Sequence, residues 1–498
     1  MARSLERLNR NGNRADRRGV VLYMVVVIVL LLTLIVYGLL ISMRAQNLAA
    51  AVAGDRLQAR QSAFSARDVL LSLVENSRQS RDATGGIELN PNIFSNIQLA
   101  AQGSDDDEFL PFGVVLHPDF NSLKFGAVNE SGKINLRILL EVDRQFPGTG
   151  RTILMRLPDI TATIADHLLD WIDADDQRRD LGNESPFYIQ NFGYPARNGI
   201  PPVLDECLRI AEIAQSSSSN RKSSGRGIQD NRNIPSWMSY LTVSSGERNE
   251  AYSGVFRIDL NQPDIFQLHQ SLVQNLDLET ANFIILFRQF GPATTTSQSK
   301  DVRVFSRLAT DVAINFSLSG SHEITSLLDV VDQTIEVPQS ETERFRIDSP
   351  VGEDRSDFAE KLPKILNFCT IIKQETIRGR VNINIAPFEV LLSVPGIDES
   401  IAEQIMANQM ERPGGRREIA WLLTERIVSL ETFRNLIPFI TDGGDVYRAR
   451  FAGFSDPQTA PFVFEAVLDA SGKSIKQLEL TRLYETFEFR QMLDESTK

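Results

Sequence analysis

The chain is poor in the residues that bind metals through nitrogen or sulfur. Its 498 residues include two cysteines and four histidines. Cys207 and Cys369 lie far apart and outside any Cys-x-x-Cys spacing, which excludes a typical zinc site and leaves either one long-range disulfide or two buried thiols. The histidines are equally scattered, at His117, His167, His269 and His322. Metal chemistry through imidazole is therefore not expected.

The motifs of the common enzyme classes are also missing. The sequence has no Gly-rich phosphate loop, no Gly-x-Ser-x-Gly elbow, no His-Glu-x-x-His and no Cys/His pair close in sequence. We therefore predict that the protein is not an enzyme. The formal net charge of −13 lacks the basic excess that binding to phosphates requires, so no nucleic-acid partner is expected either.

One long apolar run stands near the start of the chain. From Val20 to Met43 no side chain is charged, and a run of this length is sufficient for a helix to cross a hydrocarbon core of about 30 Å. Arginines dominate the residues before it, at Arg3, Arg7, Arg10, Arg14, Arg17 and Arg18. The positive-inside rule then predicts a single-pass protein with a cytoplasmic N terminus and the bulk of the chain outside the cytoplasm.

The junction before this run has a distinctive sequence. Arg17-Arg18-Gly19 followed by Val20 resembles the prepilin-type leader (residues 1–19) of the type IV pilin and type II secretion pseudopilin superfamily. The resemblance implies cleavage between Gly19 and Val20 by a prepilin peptidase, with the transmembrane helix 20–43 retained. Most members have glutamate at the fifth mature position, where this chain has Met24. The K-type minor pseudopilins lack that glutamate, so the departure points to them. A plain signal anchor without cleavage is the alternative.

The resemblance predicts an α+β fold with a pilin-like core. Leu57, Phe64 and Leu71 recur seven apart, so the N-terminal helix should continue over 44–85 and pack an apolar stripe on an antiparallel sheet. Sheet strands are expected in 86–145 and in the alternating tail 441–498, whose Asp-Ala-Ser-Gly stretch predicts a hairpin. A large, mainly α-helical insertion at 146–440 would interrupt this core. Within it, flexible segments are predicted at 214–233, 291–301 and 339–357 from their polar composition.

A short pattern occurs three times in the insertion and its approaches. The copies are "GKINLR" (132–137), "FRIDLNQPD" (256–264) and "GRVNINIAPFEVLLSVPG" (379–396). Each leads into helix-like sequence, which predicts related helical units whose Asn or Asp accepts backbone N–H bonds.

The third copy resembles a helix-hairpin-helix (SAM-like) unit near 391–409, with a hairpin turn at Pro395 and Gly396. DNA-binding hairpins have a second glycine where this chain has Asp398, and a carboxylate there repels phosphate. Packing against protein is therefore favoured, and a membrane-anchored DNA-uptake receptor remains the alternative function.

Carboxylates are concentrated between residues 166 and 184. Asp166, Asp170 and Asp173 have the spacing of one helical face, and further acids follow directly. Arg178 stands where a twelve-residue EF-hand loop requires glycine, which excludes an EF-hand. The predicted calcium ligands of a looser, oxygen-only site are Asp173, Asp175, Asp176, Asp180 and Glu184. A solvated acidic face and a hydrolase with paired carboxylates are the alternatives.

The same segment resembles the signature of the K-type pseudopilins. The matching residues are Asp170-Trp171-Ile172-Asp173-Ala174-Asp175, then Gly182-Asn183-Glu184 and Tyr188, with departures at Asn183 and Ser185. The resemblance implies calcium in the large helical domain, an inner-membrane location, and a tip complex that initiates or caps a periplasmic pseudopilus. The implied partners are other minor pseudopilins and the major pseudopilin.

Overall fold

The computed structural model describes residues 15–98, 110–118, 124–210, 236–293, 303–411, 417–455 and 460–483. Residues 1–14 of the predicted leader and the predicted flexible segment 214–233 lie outside these ranges.

Short helices follow one very long helix. The α-helices are α1 (Ala15–Val74), α2 (Arg78–Ala83), α3 (Pro91–Phe94), α4 (Leu136–Gln145), α5 (Thr149–Leu154), α6 (Ala162–Ile172), α7 (Ser185–Phe192), α8 (Ile265–Asn275), α9 (Leu278–Phe290), α10 (Phe358–Phe368), α11 (Phe388–Leu391), α12 (Glu399–Glu411), α13 (Trp421–Thr424) and α14 (Leu430–Leu436). Turns of 3-10 helix are found at Glu130–Gly132, Leu204–Arg209, Ser236–Tyr240, Ala309–Asp311 and Leu327–Val330.

The strands lie mostly at the two ends of the described chain or occur as two-residue bridges. They are β1 (Ile97–Gln98), β2 (Phe112–Leu116), β3 (Val128–Asn129), β4 (Ile134–Asn135), β5 (Leu241–Thr242), β6 (Gly246–Arg248), β7 (Ile258–Asp259), β8 (Arg303–Ser306), β9 (Thr334–Pro338), β10 (Glu343–Asp348), β11 (Cys369–Thr370), β12 (Thr376–Arg378), β13 (Val381–Asn382), β14 (Ile440–Thr441), β15 (Val446–Phe454), β16 (Phe462–Asp469) and β17 (Lys476–Leu483).

Helix α1 has an exposed half and a packed half. Its apolar first half is entirely exposed and is long and apolar enough to cross a membrane. Burial begins at Ala59. The helix ends at Val74 rather than near residue 85 as predicted, because Ser77 starts a new helix by accepting a hydrogen bond from the Ser80 amide. The expected glycine stop follows α2, where Gly85 and Gly86 adopt positive φ angles.

The second half of α1 packs on an antiparallel sheet. The strand order is β1-β2-β15-β16-β17, and β3 pairs with β15 beside β2. Ala66, Leu70 and Val74 of the helix share one buried cluster with Phe451 and Phe464 of the sheet. The predicted α+β class, with a long helix on a sheet built from both ends of the core, is confirmed, and so is the hairpin after β16.

Two glycines let the helix approach the sheet closely. Gly113 and Gly453 are paired neighbours on β2 and β15. A Cβ atom on Gly453 would overlap the Ala59 carbonyl oxygen, and one on Gly113 would overlap that of Ser62. The backbone of α1 therefore rests directly on two adjacent strands.

The three sequence copies share one structural device. Each begins a unit that closes on itself through a two-residue parallel bridge, and the bridged residues are Asn135 with Thr242 (unit 1), Asp259 with Thr370 (unit 2) and Asn382 with Thr441 (unit 3). In every unit the first side chain accepts the amide N–H two residues ahead at 2.9 Å. The threonine hydroxyl likewise accepts the amide two residues after it. The predicted relation between the copies is thus visible in their hydrogen bonds.

The predicted capping role holds for one of the three side chains. Asn135 is the N-cap of α4. Helix α8 begins after Asp264 and α11 after Pro387, so Asp259 and Asn382 stabilise turns upstream of their helices.

One predicted flexible segment is part of a sheet. The segment 339–357, predicted as a linker, contains β10, which pairs with β8 and β9 in a separate three-stranded sheet. The charged residues of this segment hide the strand pattern of alternating apolar residues, Phe345 and Ile347, at the level of sequence.

The two cysteines do not form a disulfide. Cys207 and Cys369 are both buried and free, which agrees with the alternative of two buried thiols.

Candidate functional site

The acidic segment forms a compact site between α6 and α7. Asp166 and Asp170 lie on α6, and Asp173 is the C-cap of this helix, so the predicted shared face is correct. Asp166 and Asp170 are fully buried. The Tyr188 ring of α7 packs edge-on against Trp171 of α6, with ring centroids 4.9 Å apart. This contact holds together the two helices that flank the acidic loop.

Arg179 stands at the centre of the carboxylates. Its Nη1 atom donates to Asp170 at 2.8 Å and also to Asp173, and its Nη2 atom donates to Asp143 of α4 at 3.1 Å. Its backbone amide donates to Asp170 at 3.2 Å. One guanidinium thus serves three carboxylates, and Asp166 has a separate partner in Arg151 at 3.3 Å.

Glu184 enters the same space without a partner. It is 5% exposed, and neither carboxylate oxygen has a hydrogen bond in the described part of the chain. It occupies the N-cap position of α7, but its side chain makes no capping bond there. The Oδ1 atom of Asp173 is also buried without a partner. Buried carboxylate oxygens are costly unless paired, so these atoms call for a cation or a proton.

Two carboxylates of the cluster have raised pKa values. Burial, followed by the repulsion of Asp170, Asp173 and neighbouring acids, raises the pKa of Glu184 to about 8. Burial raises the pKa of Asp173 to about 6 against the opposing hydrogen bond from Arg179. Burial is the largest cause of both pKa shifts, and repulsion between the neighbouring carboxylates adds to it.

The structure brings together two of the five predicted ligands. Oxygen atoms of Asp170, Asp173 and Glu184 all lie within 4.8 Å of one another. Asp175, Asp176 and Asp180 lie outside this group, exposed on the loop. Their positions have local reasons: Asp175 accepts the Gln177 amide at 2.8 Å, and Asp176 accepts the Asn198 side chain at 3.0 Å.

Sequence reasoning omitted Asp170 from the ligand set and missed Asp143 entirely. Asp170 is three residues before Asp173, a spacing that places both on one helical face and signals their proximity. Asp143 belongs to a different helix, and no local pattern announces it. The part played by Gly182 is also clear only in the structure, because a Cβ atom there would overlap the carboxylate of Asp170.

The oxygen-only donor set fits a hard divalent cation. Calcium takes carboxylate and carbonyl oxygens in flexible geometry, and the three grouped carboxylates offer such atoms, including the unpartnered ones of Glu184. Asp170, Asp173 and Glu184 are therefore the residues that would hold it.

The predicted hairpin turn lies at the protein surface, where Pro395 is half-buried and Gly396 is exposed. Gly396 has a φ angle of 93°, and the space beside its Cα is closed by Leu436 of α14. Pro395 precedes it, and the Asp398 carboxylate caps the following helix by accepting the Ile401 amide at 2.9 Å. The acid that stands in place of a glycine thus has a structural use at the start of α12.

The predicted cleavage point lies within the first turns of α1. Gly19 and Val20 are both helical, and Val20 is 66% exposed. Met24, on the same helix, is 64% exposed.

Comparisons with known proteins give a structural likeness. No protein-family model and no curated protein matches the chain. Among solved structures it is similar to a chain of the GspK-GspI-GspJ complex of the type 2 secretion system from enterotoxigenic Escherichia coli. The identity is 10% and the TM-score 0.39, with 88% of this chain and 100% of the other covered.

Proposed function

We propose that the chain is a minor pseudopilin of the K type in a type II protein secretion system. The observation that carries the proposal is the division of α1 into an exposed apolar half and a half packed on an antiparallel sheet. A subunit built this way is anchored by a helix that can also pack against the helices of companion subunits. Other minor pseudopilins and the major pseudopilin are the proposed partners, and the inner membrane is the proposed location.

The size of the part of the chain outside the helix-and-sheet core suggests a position at the end of the pseudopilus. The three repeat units and the acidic site lie outside the helix-and-sheet core and add a large body to it. Such a body would obstruct a further subunit above it, which supports a role in a tip complex that initiates or caps the assembly. The absence of a glutamate at Met24 is consistent with this role, because no buried carboxylate then needs a partner from a subunit above.

Processing at the leader gives the first test. We expect the mature protein extracted from the membrane to begin at Val20, because the Gly19 junction resembles a prepilin peptidase site. Mass spectrometry of the N-terminal peptide measures this directly, and a Gly19→Leu variant should retain its leader. An intact start at Met1 or Ala2 in the wild-type protein would contradict processing and favour a plain signal anchor, the context of the DNA-uptake receptor.

We further propose that the acidic site binds calcium through Asp170, Asp173 and Glu184. The unpartnered oxygens of Glu184 and the excess negative charge around Arg179 support this proposal. A bound cation would neutralise that excess and hold α6, the loop and α7 together.

Calcium should raise the thermal stability of the folded chain, and a chelator should lower it. At about 100 times the dissociation constant, binding to the folded state alone adds about 2.7 kcal/mol to the free energy of unfolding. Differential scanning calorimetry with calcium and with chelator measures the shift. We expect Glu184→Gln to abolish it and Asp180→Asn, outside the grouped carboxylates, to keep it. If neither calcium nor the chelator changed the melting temperature of the wild-type protein, the calcium proposal would be wrong.

A further inference from the structure

A second site is suggested by a cavity between units 2 and 3. Its volume is about 560 Å³, within the range of roughly 300–1,000 Å³ typical of small-ligand pockets. Strands β11, β12 and β14 contribute to its wall. The apolar part of the lining consists mainly of Leu327, Leu366, Ile371, Ile372, Ile419 and Ile437. None of these residues belongs to the acidic site or to the membrane helix.

Four arginines line the same cavity, against two carboxylates, Glu418 and Asp442, of which Asp442 pairs with Arg78 at 3.7 Å. Arg380 pairs with Glu247 at 3.4 Å, Arg378 with Asp469 at 3.6 Å, and Arg434 with Asp329. These guanidinium groups therefore already have carboxylate partners within the protein.

Arg257 differs from the other three arginines. Its Nε atom donates to the Asn367 carbonyl at 3.1 Å, but its terminal nitrogens have neither a hydrogen bond nor an ion pair among the described residues. Burial lowers the pKa of Arg257, and the negative charges of Glu247 and Asp442 only partly offset this effect. The terminal nitrogens of Arg257 are thus hydrogen-bond donors that no described residue engages.

We propose that this cavity binds a monocarboxylate with an apolar chain. A guanidinium binds a carboxylate through two parallel hydrogen bonds, and one unpaired guanidinium calls for a ligand with one negative charge. The carboxylate would lie against Arg257 and the apolar chain along the leucine and isoleucine wall. A short fatty acid and the C terminus of a peptide with an apolar last residue share this chemistry. The inference is independent of the secretion role proposed above.

Isoleucine methyl signals provide a direct test. The full-length chain in lipid nanodiscs, labelled with ¹³C at the isoleucine δ-methyl groups, is titrated with hexanoate and, separately, with N-acetylleucine. We expect saturable shifts at Ile371 and Ile419, which line the cavity. Hexanol and N-acetylleucinamide, which lack the carboxylate, should leave these signals unchanged at the same concentrations. Whichever acid binds more tightly identifies the source, and no saturable shift with either acid would overturn the proposal.

Substitution of the arginine gives the second test. Arg257→Gln should weaken binding of the acid at least about tenfold, because a charge-assisted hydrogen bond is lost. Arg346→Gln is the matched control, since the Arg346 side chain is 55% exposed on β10 and does not line the cavity. Equal affinity in the Arg257→Gln variant would refute the assignment. If that variant does not fold, the wild-type protein still provides the test: binding of each acid, but not of the matching alcohol or amide, shows that the cavity recognises the carboxylate.

Discussion

Gly453→Ala is expected to separate α1 from the sheet. The added methyl group would overlap the Ala59 carbonyl oxygen, which belongs to helix backbone and has no rotamer through which to move away. Overpacking a close contact costs about 1–3 kcal/mol and occasionally more, and a clash with backbone falls at the upper end. The φ angle of Gly453 is not in the left-handed region, so the effect arises from crowding alone.

Urea unfolding of the full-length chain in detergent measures the loss of stability. Amide hydrogen exchange should rise between residues 59 and 74, where α1 packs on the strands. Gly472→Ala is the matched control, because the nearest atom to a Cβ there is 4.0 Å away. A Gly453→Ala protein as stable and as protected as the control would show that the helix does not need this close approach.

Asp445→Asn is expected to destabilise the fold by about 3–5 kcal/mol, because it removes the carboxylate partner of the buried Arg81 and one of the carboxylates around Arg78. Asp445 is 1% exposed and pairs with Arg81 at 2.5 Å and with Arg78 at 3.4 Å. It also accepts the Arg248 amide at 2.8 Å. Arg78 in turn pairs with the buried Glu247 at 3.0 Å. This network joins α2 to the start of β15 and to β6, so its loss loosens the junction between the core and the repeat units.

The same network predicts how stability depends on pH. Burial would raise the pKa of Asp445, but Arg78 and Arg81 outweigh it and hold the pKa well below its ordinary value. A lowered folded-state pKa contributes stability that is fully present above the unfolded value, about 3.9, and is lost as the pH falls towards the folded value. Wild-type stability should therefore drop below about pH 4.

Chemical unfolding of the wild type and of Asp445→Asn at pH 7 and at pH 3.5 tests both parts of this prediction: the difference in stability between the two proteins should be smaller at pH 3.5, and effects of other carboxylates on both proteins cancel in that difference. Asp348→Asn is the control, since its pair with Arg346 is more than half exposed on both sides and contributes about 1 kcal/mol or less. If Asp445→Asn cost no more than this control at pH 7, the network would be dispensable for the junction.

Much of the fold follows from local sequence. The uncharged run after Gly19 predicts the membrane helix, and alternation in the tail predicts β15 to β17. The sequence predicts an end of α1 that is too late, because nothing before the glycines looks like a helix stop. Ser77 ends the helix by capping the next one, and the choice depends on contacts with distant residues such as the Tyr252 carbonyl.

The acidic site was predictable in position and less so in composition. Spacing on α6 and the Gly182-Asn183-Glu184 string locate it. The sequence does not reveal that Glu184 is buried while Asp180 is exposed, because the direction of each side chain depends on how the loop folds around Arg179. The threonines that close the repeat units were missed for a related reason: a Thr after an apolar residue is too common to be a signal until its partner is known.

The two-residue parallel bridges that close the three units determine where the chain tolerates insertions and deletions. Each unit enters and leaves the body through neighbouring residues, so an insertion or deletion between an Asn or Asp and its threonine lengthens or shortens a closed loop without displacing what lies outside it. The third unit is already much shorter than the first two. Variation in length should therefore accumulate within the units, while the distance from one unit to the next stays nearly constant.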